Sequence, residues 1–309
     1  RSRAMASVVA ESSPPESSTT AGRPAASVVL TAASPESAAA AGTRSDSCGL
    51  IGGESRSFAA YARSMDESPR ESVQMVWFRD DLRTVDQPAL AAAAAAGPVT
   101  AVAVLDPAEY APGPDGHPRQ GAAHARFRLE SLADLGRRLA DLGGRLHVRV
   151  GDPVAIVPAI AAEVGARAVH LGGQPCPEER RQERAVARAI AERRPACRVE
   201  IHETAGVLPA GSMADADPRC LRVFARFREA IREHLEAAVP VDAPRRIVPG
   251  PAPSGSDVLP SPDAAGLAAL GLEPLPDDPR ADLRFIGGET AGLARIESAG
   301  PQLQRHHLH

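Results

Sequence analysis

The sequence predicts an α/β fold, a five-stranded, doubly wound parallel sheet of the Rossmann-like kind, on two observations. Short apolar runs of strand length alternate with helix-like segments five times between residues 73 and 204. The first run, Met75 to Phe78, has no polar residue, as suits a strand covered on both faces, and it ends abruptly in the charged elbow Arg79-Asp80-Asp81-Leu82-Arg83. In open α/β sheets ligands bind beyond the carboxyl ends of the strands, where such an elbow must lie.

The elements follow in order. The first strand is 73–78. Asp86 and Pro88 start a helix whose body is the alanine run 89–96, stopped by Gly97-Pro98. Val99–Leu105 is the second strand, and the proline-rich stretch 106–120 is too long for a plain connection. A helix over about 122–142 repeats Leu132, Leu135, Leu139 and Leu142 at steps of three and four, one buried stripe, and ends at Gly143-Gly144. Arg145–Val150 is the third strand. Asp152-Pro153 caps and opens a helix to about Val164, with Asp152 as its cap. Arg167–Leu171 is the fourth strand, Pro177 to Arg193 a charged surface helix, and Arg198–His202 the fifth strand. The commonest winding sets the first and fourth strands side by side. A crevice then lies between the loop after Phe78 and Gly172-Gly173-Gln174. No GxGxxG follows the first strand and no P-loop is present, which argues against an ordinary dinucleotide or nucleotide triphosphate site.

Four units result: 1–72, 73–205 as the α/β domain, 206–284 as an extended interdomain linker, and 285–309. Residues 1–72 are rich in Ala, Ser, Pro and Thr and poor in large apolar side chains, so disorder is expected. Their serines, alanines and scattered arginines fit a chloroplast or mitochondrial transit segment; Glu11, Glu16, Glu36, Asp46 and Glu54 argue against one. The linker carries one helix, at about 218–237, opened by Asp217-Pro218, with Phe224, Phe227, Ile231 and Leu235 on its apolar face.

Composition excludes several function classes. The 309 residues carry a net charge of −4, so no global basic field holds nucleic acid. All 35 basic residues are arginine, so no lysine can form a Schiff base or clamp a phosphate. Aromatic residues make up 3%, too few for a base-stacking platform. The four cysteines form no CxxC pair, the tail histidines 306, 307 and 309 have no partner motif, and no metal site is expected. No apolar run approaches a membrane span. No general base or nucleophile stands out, so no catalytic residue is assigned.

Trp77-Phe78-Arg79-Asp80-Asp81-Leu82-Arg83 resembles the WFR-x-DLR ending of the first strand in the photolyase/cryptochrome family. Leu105-Asp106-Pro107, Gly121 to Leu132, Arg149-Val150-Gly151-Asp152-Pro153, and Pro177-Glu178-Glu179 with Glu183 and Val186 resemble further family motifs in the same order. Val223 to Arg228 and Phe285-Ile286-Gly287-Gly288-Glu289-Thr290-Ala291 look like segments of its cryptochrome-DASH branch. Three positions depart from the pattern: Gln174 where folate-binding branches place Glu, His124 where Arg is usual, and Arg128 where a buried Leu is usual.

The resemblance implies that the α/β domain is the antenna half of a blue-light flavoprotein. It would hold methenyltetrahydrofolate or a deazaflavin in the crevice, with Phe78, Arg79, Asp81, Arg83, Gln174 and Glu178 as candidate chromophore-binding residues. Bracing of a domain interface is the competing reading for Arg79, Asp81 and Arg83, and first-turn helix charge for Glu178. In the intact family a helical domain binds FAD, meets DNA and repairs pyrimidine dimers. Residues 285–309 look like its first turns, so FAD binding and repair are not expected of this chain, and DNA would be met only through the helical domain. The surface that domain covers would offer an association face. The alternative is a free-standing ligand- or partner-binding module without catalysis.

Overall fold

The computed structural model describes residues 27–30, 72–113, 116–203, 206, 222–232, 240–274 and 285–306. Among the described residues six strands are present: β1 Ser27–Leu30, β2 Gln74–Phe78, β3 Val99–Leu105, β4 Leu146–Val150, β5 Ala168–Gly173 and β6 Arg198–Glu203. The helices are α1 Pro88–Ala96, α2 Ala122–Asp141, α3 Pro153–Glu163, α4 Pro177–Arg193, α5 Phe224–Arg232, α6 Ala264–Ala269 and α7 Glu289–His306. One sheet runs β1-β6-β5-β2-β3-β4.

The five parallel strands read from the sequence are β2 to β6, within one or two residues at each end. The strand predicted first, β2, lies between β3 and β5 in parallel register, Val76 beside Ala101 on one side and beside His170 on the other. The winding reverses there, as expected. The sixth strand was not foreseen. β1 pairs antiparallel with the outer edge of β6, Ser27 opposite His202 and Leu30 opposite Val199. It lies in the segment expected to be disordered, most of which falls outside the described residues.

The sheet is covered on both faces, which is why its strands read as unbroken apolar runs. On one face Met75, Trp77, Val102 and Val104 pack against Val157 and Ile160 of α3 and Val186 and Ile190 of α4. On the other, Val76, Phe78 and Ala101 meet Leu90 and Ala93 of α1 and Leu135 and Leu139 of α2. Asp152 caps α3 as predicted, its Oδ1 accepting from the Val154 amide at 2.8 Å. Asp86 does not cap α1. Gln87 does, and Asp86 takes a left-handed backbone at φ 52°. Its amide donates to the Val241 carbonyl at 2.7 Å and its Oδ1 accepts from the Val241 amide at 3.2 Å, so it fastens the returning chain.

The predicted helix at about 218–237 is described only as α5; Asp217-Pro218, 207–221 and 233–239 lie outside the described residues. Residues 240–274 of the predicted linker run as a strap along the α/β domain, and 275–284 lie outside the described residues. Ile247 is buried beneath α2, Gly250 donates to Val99, and Asp257 donates to Val148 and accepts from the Val150 amide. Leu267, Leu270 and Leu272, in and after α6, complete the core under Leu129 and Leu132 of α2.

The Gly287-Gly288-Glu289 segment docks α7 on α2, and the two glycines are needed for that approach. A β-carbon on Gly287 would lie 2.1 Å from the Phe127 carbonyl oxygen. Gly288 has φ +112°, a conformation side chains disfavour, and its β-carbon would strike Asp134. The close approach lets the Gly287 amide donate to Glu130 at 2.8 Å and the Thr290 amide to Asp134 at 3.0 Å. The Glu289 carboxylate, nearly buried, accepts from the amides of Thr84 and Val85 at 2.8 and 3.0 Å and pairs with Arg138 Nε at 2.6 Å. A Gly287→Ala variant is therefore expected to lose about 1–3 kcal/mol by overpacking. Amide exchange at Thr84 and Val85 should accelerate with it, and unchanged exchange there would count against this docking.

Candidate functional site

The cleft opens at the carboxyl ends of β2 and β3, where α3 and α4 begin. It measures about 220 Å³ and is lined by Trp77, Arg79 and Asp80 from β2 and its elbow, Val104 and Asp106 from the end of β3, and Pro153 at the start of α3. The long loop after β3 adds Glu109, Arg119 and Gln120, α2 adds Arg128, and α4 adds Glu178, Glu179 and Gln182.

Arg79 leaves the end of β2 into a nearly closed setting. One guanidinium nitrogen lies 2.5 Å from Glu183 Oε1 and the other donates to Gln182 Oε1 at 3.2 Å. The guanidinium carbon sits 5.0 Å from the Trp77 ring centre, a cation–π contact. Glu183 Oε1 also accepts from the Gln174 amide at 2.9 Å. The loops after β2 and β5 are thus adjacent, as the winding requires, and a buried carboxylate ties them together.

A second ion pair crosses the mouth. Arg119 lies 2.6 Å from Glu178 Oε1 and 2.7 Å from Glu179 Oε1, joining the loop after β3 to the first turn of α4. A third lies deeper, Arg128 to Glu109 at 2.6 Å, with the Arg128 side chain 9% exposed. Two buried acceptors of cleft-lining residues, Gln120 Oε1 and Glu179 Oε2, have no hydrogen-bond partner, whereas the Arg128 guanidinium faces the Tyr110 hydroxyl as well as Glu109. Leaving such acceptors unpaired costs about 1–3 kcal/mol each, and a guest that supplied two donors there would relieve that cost.

Of the six residues expected to contact a ligand, Arg79 and Glu178 line the cleft. Phe78 lies beneath it in the core shared with Leu90 and Leu135. Asp81 is buried on the opposite side of the elbow and accepts from Gln87 Nε2 at 2.8 Å. Arg83 reaches the Asp86 carbonyl at 3.0 Å. Gln174 holds the loop through its backbone, its carbonyl accepting from Arg180 Nε at 3.4 Å. Sequence reasoning did not pick out Glu109, Arg119, Gln120 or Gln182. For Glu109, Arg119 and Gln120 the signal was the length of the loop at 106–120, unusual enough to imply function, but nothing in it says which side chains turn inward, and Gln182 looks like any surface residue of a charged helix.

The fold is an α/β domain with a cleft at the topological switch point of its sheet, the place where open α/β sheets bind ligands. Residues 74–245 match the DNA photolyase family model, more than half of the chain, and the protein belongs to that family. It is 39% identical over 234 residues to a cryptochrome DASH of Natronomonas pharaonis, covering 72% of this chain and 46% of that one. It is 36% identical to the cryptochrome DASH of Gloeobacter violaceus, covering 72% and 43%. The crystal structure of a Synechocystis sp. cryptochrome superposes with a TM-score of 0.64 at 25% identity, over 74% of this chain and 46% of that one. The chain spans about half the length of the curated relatives it matches, and the matching half is the family's N-terminal antenna domain. Family members bind FAD and an antenna chromophore and act on DNA. Among the described residues no helix is long and apolar enough to cross a membrane.

Proposed function

We propose that this domain holds an antenna chromophore whose pyrimidine-like amide edge enters the cleft, as methenyltetrahydrofolate or a deazaflavin would present. The observation that carries this reading is the pair of unpaired buried acceptors, Gln120 Oε1 and Glu179 Oε2. An edge with ring N–H or amino groups supplies the donors that this pair lacks. Arg79, held by Glu183 and stacked on Trp77, forms the polar wall at the end of β2. The Arg119 pair with Glu178 and Glu179 would order the mouth over the guest and limit water. The chromophore, when bound, absorbs near-ultraviolet or blue light and passes the excitation to a flavin. The protein side chains need only fix its position and shield it.

Phe285, Ile286, Leu293 and Ile296, just before and along α7, are exposed apolar residues, a face that a FAD-binding helical half would cover. That half would carry FAD, DNA contact and repair or photoreception, and we assign none of these to the cleft.

The test is reconstitution of the full chain with each chromophore, followed by absorbance and fluorescence. Saturable binding with a red-shifted, quenched band is expected for one of them. Gln120→Leu, which removes one of the two unpaired acceptors, should weaken it by ten- to a hundredfold. Absence of saturable binding by either chromophore, or a Gln120→Leu variant that binds as tightly, would overturn the assignment.

A further inference from the structure

On the α1 side of the sheet, away from the cleft, three metal-ligating side chains converge. His170 of β5 is in register with Glu200 of β6, and His202 follows two residues later. Strand alternation therefore places all three on one face, opposite Val169, Leu171 and Val199, which belong to the core beneath α3 and α4. His170 Nδ1 lies 3.1 Å from His202 Nε2 and 3.5 Å from Glu200 Oε2. Ligands placed tetrahedrally around an ion at 2.0–2.2 Å are about 3.3–3.6 Å apart, so these separations need little change to admit one.

The orientation of His170 is set from behind. Gln74 Nε2 donates to Ser72 at 3.0 Å, which turns Gln74 Oε1 toward His170 Nε2 at 3.1 Å. Nε2 of His170 must then carry the hydrogen, and Nδ1 presents a lone pair to Glu200 and His202. A carbonyl partner on the far nitrogen is how metal-binding histidines are usually held. Glu200 is only half buried, its side chain 21% exposed, which opens a path from solvent. A simple His–His hydrogen bond satisfies the two rings but gives no reason for a carboxylate at 3.5 Å.

We propose that His170 Nδ1, His202 Nε2 and a Glu200 oxygen bind one divalent transition-metal ion of the zinc class, with water completing a four-coordinate shell. Two imidazoles and a carboxylate suit that class rather than magnesium or calcium, which take oxygen ligands. On binding, the His202 hydrogen passes from Nε2 to Nδ1 by way of solvent, and no net proton is released from the two rings. The ion would clip β5 to β6 at the edge where β1 joins.

The experiment uses the full chain carrying His306→Ala, His307→Ala and His309→Ala, so that the tail cannot supply ligands. Cobalt(II) alone is titrated as the spectroscopic probe, and zinc(II) alone by calorimetry. One equivalent is expected, with the visible bands of four-coordinate cobalt, displaced by zinc. Glu200→Gln and His202→Gln should each weaken zinc at least tenfold. Gln74→Met, whose side chain touches no ion, should weaken it less. Glu200 is half exposed, so its variant stays informative if His202→Gln fails to fold. The proposal falls if the tail-substituted protein binds no saturable equivalent, or if Glu200→Gln binds zinc as tightly as its parent.

Discussion

Glu183→Ala is expected to cost about 3–5 kcal/mol, which for a domain of this size lowers Tm by roughly 6–20 °C. The side chains of Arg79 and Glu183 are 6% and 7% exposed and 2.5 Å apart. Removing the carboxylate leaves a guanidinium in a dry setting with only Gln182 and the Trp77 ring as partners. It also removes the acceptor of the Gln174 amide, so the loops after β2 and β5 lose their link. The double variant Arg79→Met with Glu183→Leu separates the two costs. Replacing a buried pair by apolar groups of similar volume is often neutral, so most of the lost stability should return. Thermal melts of the wild type and both variants decide it. A single variant melting within about 2 °C of wild type would mean that water already screens the pair.

That pair also shows what the sequence could and could not tell. Arg79 was marked by its position, directly after an apolar run, and the winding rule correctly set its loop beside that of Gln174. Its partner was hidden. Glu183 stands among the charges of α4, where helical spacing makes any one carboxylate look like a solvated surface group. Arg128 is a similar case. On the sequence it was only a departure from an expected buried leucine. In the structure it is buried, and Glu109, nineteen residues earlier, supplies the opposite charge. Parallel strands declare themselves because each is apolar on both faces, and glycines and prolines mark where they stop. β1 escaped because four residues in a Ser- and Ala-rich stretch carry too little pattern, and its pairing with β6 spans some 170 positions. The trio His170, Glu200 and His202 escaped for a related reason. Only register between two strands joins them, and its one local trace is the alternation Glu200-Ile201-His202.

The strap gives the clearest contrast between a tether and a structural part. Ile247→Ala is expected to cost about 2–5 kcal/mol, whereas Val248→Ala, one residue on, should change stability by less than about 0.5 kcal/mol. Ile247 is 1% exposed and Val248 56% exposed. Ile247 packs with Val99, Leu135 and Leu139, and a β-carbon on Gly144 would sit only 3.2 Å from its methyl group, so the site is already close-packed. Its backbone is held as well. The Ile247 amide donates to Leu142 at 2.7 Å, and the flanking residues exchange hydrogen bonds with Val99 at the start of β3. Those bonds limit collapse around the cavity, which places the cost in the upper part of the range. Urea unfolding measures the loss, and trypsin cleavage after the exposed Arg245 and Arg246 locates it. If the strap is part of the domain, Ile247→Ala lowers global stability and speeds cleavage, and Val248→Ala does neither. If residues 240–274 merely connect two domains, both variants melt alike and trypsin cuts all three proteins at one rate. The sequence shows at this point only a lone isoleucine between arginine and Val-Pro, without helical or strand periodicity, so the distinction rests on the packing alone.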